Sequence, residues 1–485
     1  MKWRALAVAV ACLSTALWAC SFQKEWEAYC AHPGRCARFD AGDNDTIQIA
    51  QGSSNRKILL GGQYLEGATV SLNPADSGMV SVVPVVPAVQ DGILLDVTVK
   101  HGVGVGERLT VHFHWDRDSE DQDSIPLVVT PITATADPIA DDDAGFGTPL
   151  NPYRTLLRAS QHSDTGDIIH LGAGTFSSIC TTSPGLKLGV TVEGEPGLPD
   201  GGGRSMVEGP GPCGFTLSDP AQALRLVTIS NFDAGLVATA DAGRPTASGV
   251  TVTSCDTGVV VSPGGQLLLE GAHLTLNGEG LVVNGGDAVV QGGVIDSSAR
   301  NGVLMKGTGG SLSLTGTGVN GNAPSTGDEV TGAGVLIASS GGTATIGSLI
   351  IANNGQTAVT VAGNSNLVTF DAADLRGGFI GLVVQDPGAG VSMRNTTFQF
   401  CPTAGLKVEG LASFNGGTGD GGYGHNAFSC GSTEIWDART SNGPDMDFAD
   451  TRIRGQLMDA GVDIGASSAQ LGITVGSAQN PIHFH

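Results

Sequence analysis

Between residues 235 and 408 a short alternating phrase recurs eight times, a small residue followed by apolar, outward and apolar positions. It reads Gly235-Leu-Val-Ala, Gly258-Val-Val-Val, Gly280-Leu-Val-Val, Gly302-Val-Leu-Met, Gly334-Val-Leu-Ile, Ala358-Val-Thr-Val, Gly381-Leu-Val-Val and Gly405-Leu-Lys-Val. The intervals are 23, 22, 22, 32, 24, 23 and 24 residues, the long one holding an insertion near Asn320 to Thr331. A fixed period in this range means supersecondary units that bury a core only by stacking. Within one period, Gln266 to Asn284, three short runs alternate with period two and end at Gly or Asn, where a backbone bend costs little. Helical periodicity is missing inside the coils. The expected fold is therefore all-β, a right-handed parallel β-helix with three strands per coil of about 22–24 residues.

Alternation turns the first and third positions after the small residue inward and the second outward. The outward column holds Val237, Val260, Val282, Leu304, Leu336, Thr360, Val383 and Lys407. Simple β-propensity explains apolar residues on an outer strand face. The sharper reading is a covered face, with Val260, Val282, Leu304, Leu336 and Val383 as a docking stripe.

Upstream, residues 41–135 carry seven short apolar runs separated by turn residues: Thr46–Ala50, Lys57–Leu60, Ala68–Leu72, Val80–Val85, Ile93–Val99, Arg108–Trp115 and Pro126–Ile132. That number and spacing predict an immunoglobulin-like β-sandwich, although the Cys-Trp-Cys signature is missing. His112 and His114 share a strand face there without a third ligand, so no metal site is expected. Asp116, Asp118, Glu120 and Asp123 resemble the start of a calcium loop but lack its Gly and bidentate Glu, which leaves an acidic hairpin tip as the main reading and calcium as a minor one. An acidic linker, 136–150, follows.

Next, Asn151-Pro152 suggests a helix start, with Tyr153, Leu156, Leu157 and Ser160 on one face, and Gly166 as its end. An amphipathic helix here would cap the exposed end of the solenoid. The stretch resembles the opening of bacterial pectin-lyase-like β-helices, in particular a bacterial domain family of unknown function. Gly147, Thr148, Pro152, Tyr153, Thr155, Leu156, Gly166, Asp167, Ile169, Gly174, Thr175 and Phe176 carry the likeness, with Leu188 to Gly194 matching the family's next strand. The resemblance implies the fold and a cell-surface setting, and it implies no reaction, since the superfamily holds lyases, hydrolases, esterases and adhesins.

Lys2 and Arg4 followed by an apolar run to Trp18 read as an export signal, 1–19. Leu17-Trp-Ala-Cys20 resembles a bacterial lipobox, so Cys20 is the expected lipid-anchored terminus of a tether, 20–40; ordinary signal cleavage is the alternative. The expected address is the outer membrane or cell surface, with the periplasmic side left open. Export makes disulfides plausible, with Cys30–Cys36, Cys180–Cys213 and Cys401–Cys430 as candidate pairs and Cys255 left over. The formal net charge of -23 argues against nucleic acid or an anionic membrane surface as a partner.

Polysaccharide-cleaving β-helices need acids and bases clustered on one face. The nearest approach is Asp371, Asp374, Arg376, Arg394 and Lys407, at different offsets in neighbouring coils. A His425/Arg452–Arg454 likeness to polygalacturonase motifs lacks the family's upstream acids. The expectation is a non-catalytic exported lipoprotein for binding, adhesion or envelope structure, without a cofactor; the alternative is a polysaccharide-active surface enzyme, a lyase before a hydrolase. Polysaccharide and surface proteins are the candidate partners. Residues 151–470 form the expected solenoid, with 471–485 a frayed tail that carries His483 and His485.

Overall fold

The computed structural model describes residues between Arg38 and Phe484, apart from 40–45, 64–67, 74–78, 86–91, 116–121, 137–146, 181–185, 196–203, 323–331, 417–424, 440–443, 465–472, 476–481 and some shorter stretches. The export signal, Cys20, Cys30, Cys36, most of the calcium-loop candidate, most of the acidic linker and most of the insertion near 320–331 thus lie outside the described residues. Two compact units are present.

The first unit holds two four-stranded sheets. One runs Arg38–Phe39, Arg56–Gln63, Gly92–Val99, Val80–Pro84, all antiparallel. The other runs Ile47–Ala50, Gln122–Thr130, Arg108–His114, Thr69–Asn73, and its first pair is parallel. Strand alternation explains the core. In Arg108–His114 every second side chain is buried, and Val111, Phe113, Leu127 and Val129 join Leu95 and Val97 of the other sheet in one cluster.

Asp167, part of the motif described above, is wholly buried and accepts from the backbone amides of Gly102 at 2.9 Å and Asp164 at 2.8 Å, and it bonds the His101 ring. A buried carboxylate needs such donors. The helix spans Leu156–His162, shorter than the expected 151–166. Thr155, not Asn151, caps it, its hydroxyl accepting from the Arg158 amide at 3.2 Å. Leu156, Ala159 and Ser160 are its buried face, so Ala159 takes the place expected for Leu157.

The second unit is a parallel β-helix built of three sheets, each coil giving one strand to each. One coil reads Gln266–Glu270 in the first sheet, His273–Thr275 in the second and Glu279–Asn284 in the third. The second sheet has thirteen strands and the third eleven. Crossovers between parallel strands are right-handed, and so is this coil. The recurring phrase is the third sheet: Leu236, Val259, Leu281, Val303, Val335, Val359, Leu382 and Leu406 stack in register, all fully buried. Three strands of this sheet lie beyond the eight phrases, Cys213–Leu217, Thr433–Asp437 and Ile473–Val475.

The coil corners are left-handed bends, and the corner after the second sheet is held by buried amides. Asn277 Oδ1 accepts from the Cys255 amide at 3.0 Å, Asn322 Oδ1 from Ser298 at 2.9 Å, and Asn354 Oδ1 from Asn322 at 3.0 Å. Each Asn satisfies backbone groups that the turn would otherwise orphan.

The C-terminal residues depart from the expected frayed tail. Ile482–Phe484 pairs in parallel with Met446–Phe448, and Ile482 and Phe484 are buried. Val462–Ile464 then folds back antiparallel on the same strand, while Arg452–Ile453 turns antiparallel onto Gln456–Leu457. These reversals replace parallel stacking at the end of two of the three sheets.

Candidate functional site

The acids and bases singled out above do not converge. Asp371 ends a first-sheet strand, Leu367–Asp371, and stands in register with Arg394, with which it forms an ion pair. Asp374 has already turned the corner onto the second sheet, where it pairs with Arg376. Lys407 lies on the third sheet, paired with Glu409, its ammonium 4.8 Å above the ring of Trp436. These residues lie on three sheets, each with an internal partner. His425 holds a left-handed backbone before the strand Ala427–Ser429, and Arg454 pairs with Glu434 instead.

The outward column of the third sheet is not uniformly exposed. Val260 and Leu304 are half-buried, whereas Val282, Leu336, Thr360, Val383 and Lys407 are buried. Val383 packs with Ile380, Ala404 and Trp436 in a small outer cluster. Thr357 and Thr360 share a hydroxyl hydrogen bond of 2.7 Å in the same column pair. The stripe is thus an apolar seam for part of its length.

Of the candidate disulfides, Cys180–Cys213 is formed, with Cα atoms 5.8 Å apart. Cys401 and Cys430 are separate thiols, contrary to the pairing expected of them. The Cys401 sulfur is turned toward the Gln399 carbonyl at 3.4 Å inside its own coil, and Cys430 sits on the coil above. A hydrogen bond with the Cys401 thiol, then burial, pushes the Cys430 thiol well above the ordinary range. Cys255 is buried and free, and burial raises it too.

A different face carries convergent polar groups. Strand Thr191–Gly194 is followed by Glu195, and Arg204 precedes strand Ser205–Glu208. The Ser205 hydroxyl ties these segments together, accepting from the Glu195 amide at 2.9 Å and donating to the Leu171 carbonyl at 2.6 Å. Between them opens a cavity of about 160 Å³ lined by Glu195, Arg204, Leu226, Thr228, Gly249 and Thr251. Gly249 keeps it open: its φ is +59°, and a Cβ there would lie 2.9 Å from Leu226 Cδ2.

From this cavity the outer face of the second sheet continues as two in-register columns. One is Thr228, Thr251 and His273; the other is Ser230, Thr253, Thr275 and Asp296. His273 Nε2 lies 3.5 Å from Asp296 Oδ2, and Asn231 donates to Glu208 at 2.7 Å. His170 stands 3.8 Å from Glu195. Arg204 has no acid in ion-pair reach among the described residues. A guanidinium fork beside a ladder of hydroxyls can hold an oxygen-rich, extended ligand. These residues escaped the sequence reading. The repeated Thr-x-Ser/Thr of 228–230, 251–253 and the His-x-Thr of 273–275 would have marked them.

Among the described residues no group of three or more His, Cys, Asp or Glu side chains is placed to hold a metal. No described helix is long and apolar enough to cross a membrane.

No family model matches the chain, and no curated protein matches it. Among solved structures it is similar to a crystal structure of pectate lyase Pel9A, at 13% identity over 59% of this chain and 80% of that one, with a TM-score of 0.38. It is also similar to a rhamnogalacturonan lyase, at 14% identity over 66% and 82%, with a TM-score of 0.21. Likenesses this loose carry no inference about activity, and the parallel β-helix stands on its own strand pairing.

Proposed function

We propose that this protein is an exported, membrane-anchored lipoprotein whose β-helix binds polysaccharide along its second sheet without cleaving it. One observation carries the reading. At the cavity a cation, Arg204, meets the hydroxyls of Thr228 and Thr251 beside Glu195, whereas the candidate acids Asp371 and Asp374 are each paired with a cation away from this cavity. Hydroxyls and a guanidinium with no ion-pair partner among the described residues suit binding. Arg204 is the group for a carboxylate of the polymer, and it gives a local cation on a chain of otherwise strong negative charge. Attachment through Cys20 would place the solenoid at the membrane, with the sandwich as a spacer; the sheet orders of that sandwich support an immunoglobulin-like module.

The alternative, a surface lyase, draws on His273 beside Asp296 on the same sheet that borders the Arg204 cavity. Calcium belongs with that alternative.

Titration calorimetry with soluble polyuronate, paired with an absorbance assay for unsaturated products with and without calcium, tests both. Binding without turnover, weakened at least about tenfold by Arg204→Ala, is the expected result. Turnover abolished by His273→Ala would replace this reading with the lyase. A folded chain that neither binds nor cleaves would overturn both.

A further inference from the structure

Phe400 is 72% exposed and sits in left-handed backbone, φ 57°. It occupies the corner between the second and third sheets, where the coils beneath it carry Gly377 and Asn353 in the same conformation. Glycine and asparagine adopt that backbone cheaply, while a bulky side chain there is an outlier. Burial of the ring does not offset that cost. Strained positions of this kind concentrate where a side chain is used.

A second ring stands nearby. Phe379 is 52% exposed on the coil below, two residues past Gly377, and its carbonyl accepts from the Thr403 amide at 2.9 Å. Adjacent coils lie about 4.8 Å apart, so two phenyl rings project into solvent from one corner. Leu276, 62% exposed, holds the same corner on a coil nearer the start, but without an aromatic neighbour.

The charges beside these rings cancel. Asp374 is paired with Arg376 on the strand that leads into the Gly377 corner. A patch of two exposed rings flanked by planar, mutually neutralised hydrogen-bonding groups does not select a ligand by charge. It suits one with a flat apolar face and a rim of hydroxyls, which describes an uncharged pyranose ring. We propose that Phe379 and Phe400 form a stacking platform for neutral sugar residues of a polysaccharide. The platform is separate from the Arg204 groove, since Asp374 lies five coils beyond Thr251 in register, roughly 24 Å along the sheet. It therefore stands without the proposed uronate binding.

Affinity electrophoresis of the purified chain through gels holding galactomannan, hydroxyethylcellulose, dextran or polygalacturonate tests this. The wild-type chain should be retarded by at least one neutral polymer. Phe400→Asn, which relieves the backbone, should melt no lower than wild type yet weaken that retardation at least about tenfold; Phe400→Trp should restore it. Phe379→Ser should act in the same direction. No retardation of the folded wild type in any neutral gel, or retardation unchanged in Phe400→Asn, would overturn the platform. So would self-association of the wild type that Phe400→Asn abolishes, which would make the corner a protein contact.

Discussion

Asp371 stands directly in register with Arg394 of the next coil, and the two side chains close an ion pair across the gap between first-sheet strands. Both are about two-fifths exposed, so water screens the attraction. Asp371→Ala and Arg394→Ala should each lower stability by less than about 1 kcal/mol, with a coupling energy of about 0.2–1 kcal/mol in a double-mutant cycle followed by urea unfolding. Neither should change polysaccharide binding at Arg204.

Asp437 and Arg439 form the opposite kind of pair. Both are fully buried, and the guanidinium reaches the two carboxylate oxygens at 2.8 and 3.0 Å. Asp437→Ala leaves a buried charge without its partner and should cost about 3–5 kcal/mol, measured by thermal unfolding. Replacing both residues by Leu and Met should recover most of that loss.

The amide ladder should be sensitive to a single deletion. Asn322 accepts from Ser298, donates to the Ile295 carbonyl at 3.2 Å and bonds Asn354. Asn322→Ala orphans the buried Ser298 amide and Ile295 carbonyl of the neighbouring coil and should cost at least about 2 kcal/mol. Gly302→Ala tests the same spot sterically, because its methyl would come 2.6 Å from Asn322 Nδ2. Hydrogen exchange should show the opening centred on the coils of 295–354, as nearest-neighbour coupling in a solenoid requires.

The outer seam of the third sheet predicts a contrast. Val383→Lys places an ammonium at a fully buried position and should destabilise by about 3 kcal/mol or more. Val260→Lys, half-buried in the same column, should cost under about 1 kcal/mol. Equal melting temperatures for the two variants would show that the seam is not packed.

The thiols predict a pH dependence. Cys255 and Cys430 hold their protons more firmly in the folded chain than in the unfolded one. Their contribution to stability is complete below the unfolded thiol value of about 8.5 and is lost as pH rises from there toward the folded values. Stability should fall with pH above that point, and less so in Cys255→Ala. At pH 8 iodoacetamide should modify Cys255 and Cys430 in denaturant and hardly at all in the native protein, as peptide mapping would read.

The solenoid was legible because a two-residue alternation repeats with a fixed interval, and strand pairing converts that interval directly into register. Leu236, Val259 and Leu281 needed only spacing to be placed on one inner column. Within a coil, however, spacing does not say which way an outer side chain points once a corner intervenes. Asp371 and Asp374 are three residues apart and face different sheets, because Ala372 between them turns the chain in left-handed backbone. The same ambiguity hid the Arg204 groove, whose walls come from three coils.

The C-terminal strand shows the limit from the other side. Ile482–Phe484 carries too short a pattern to read as a strand, yet the edge offered by Met446–Phe448 gives its backbone partners and its two apolar side chains a core. The chain by itself determined the repeat, the inward columns and the sandwich strands, since these follow from local alternation. Tertiary structure alone decided which polar residues meet, which thiols pair and which outward apolar residues are covered, because those depend on where separate coils bring side chains together.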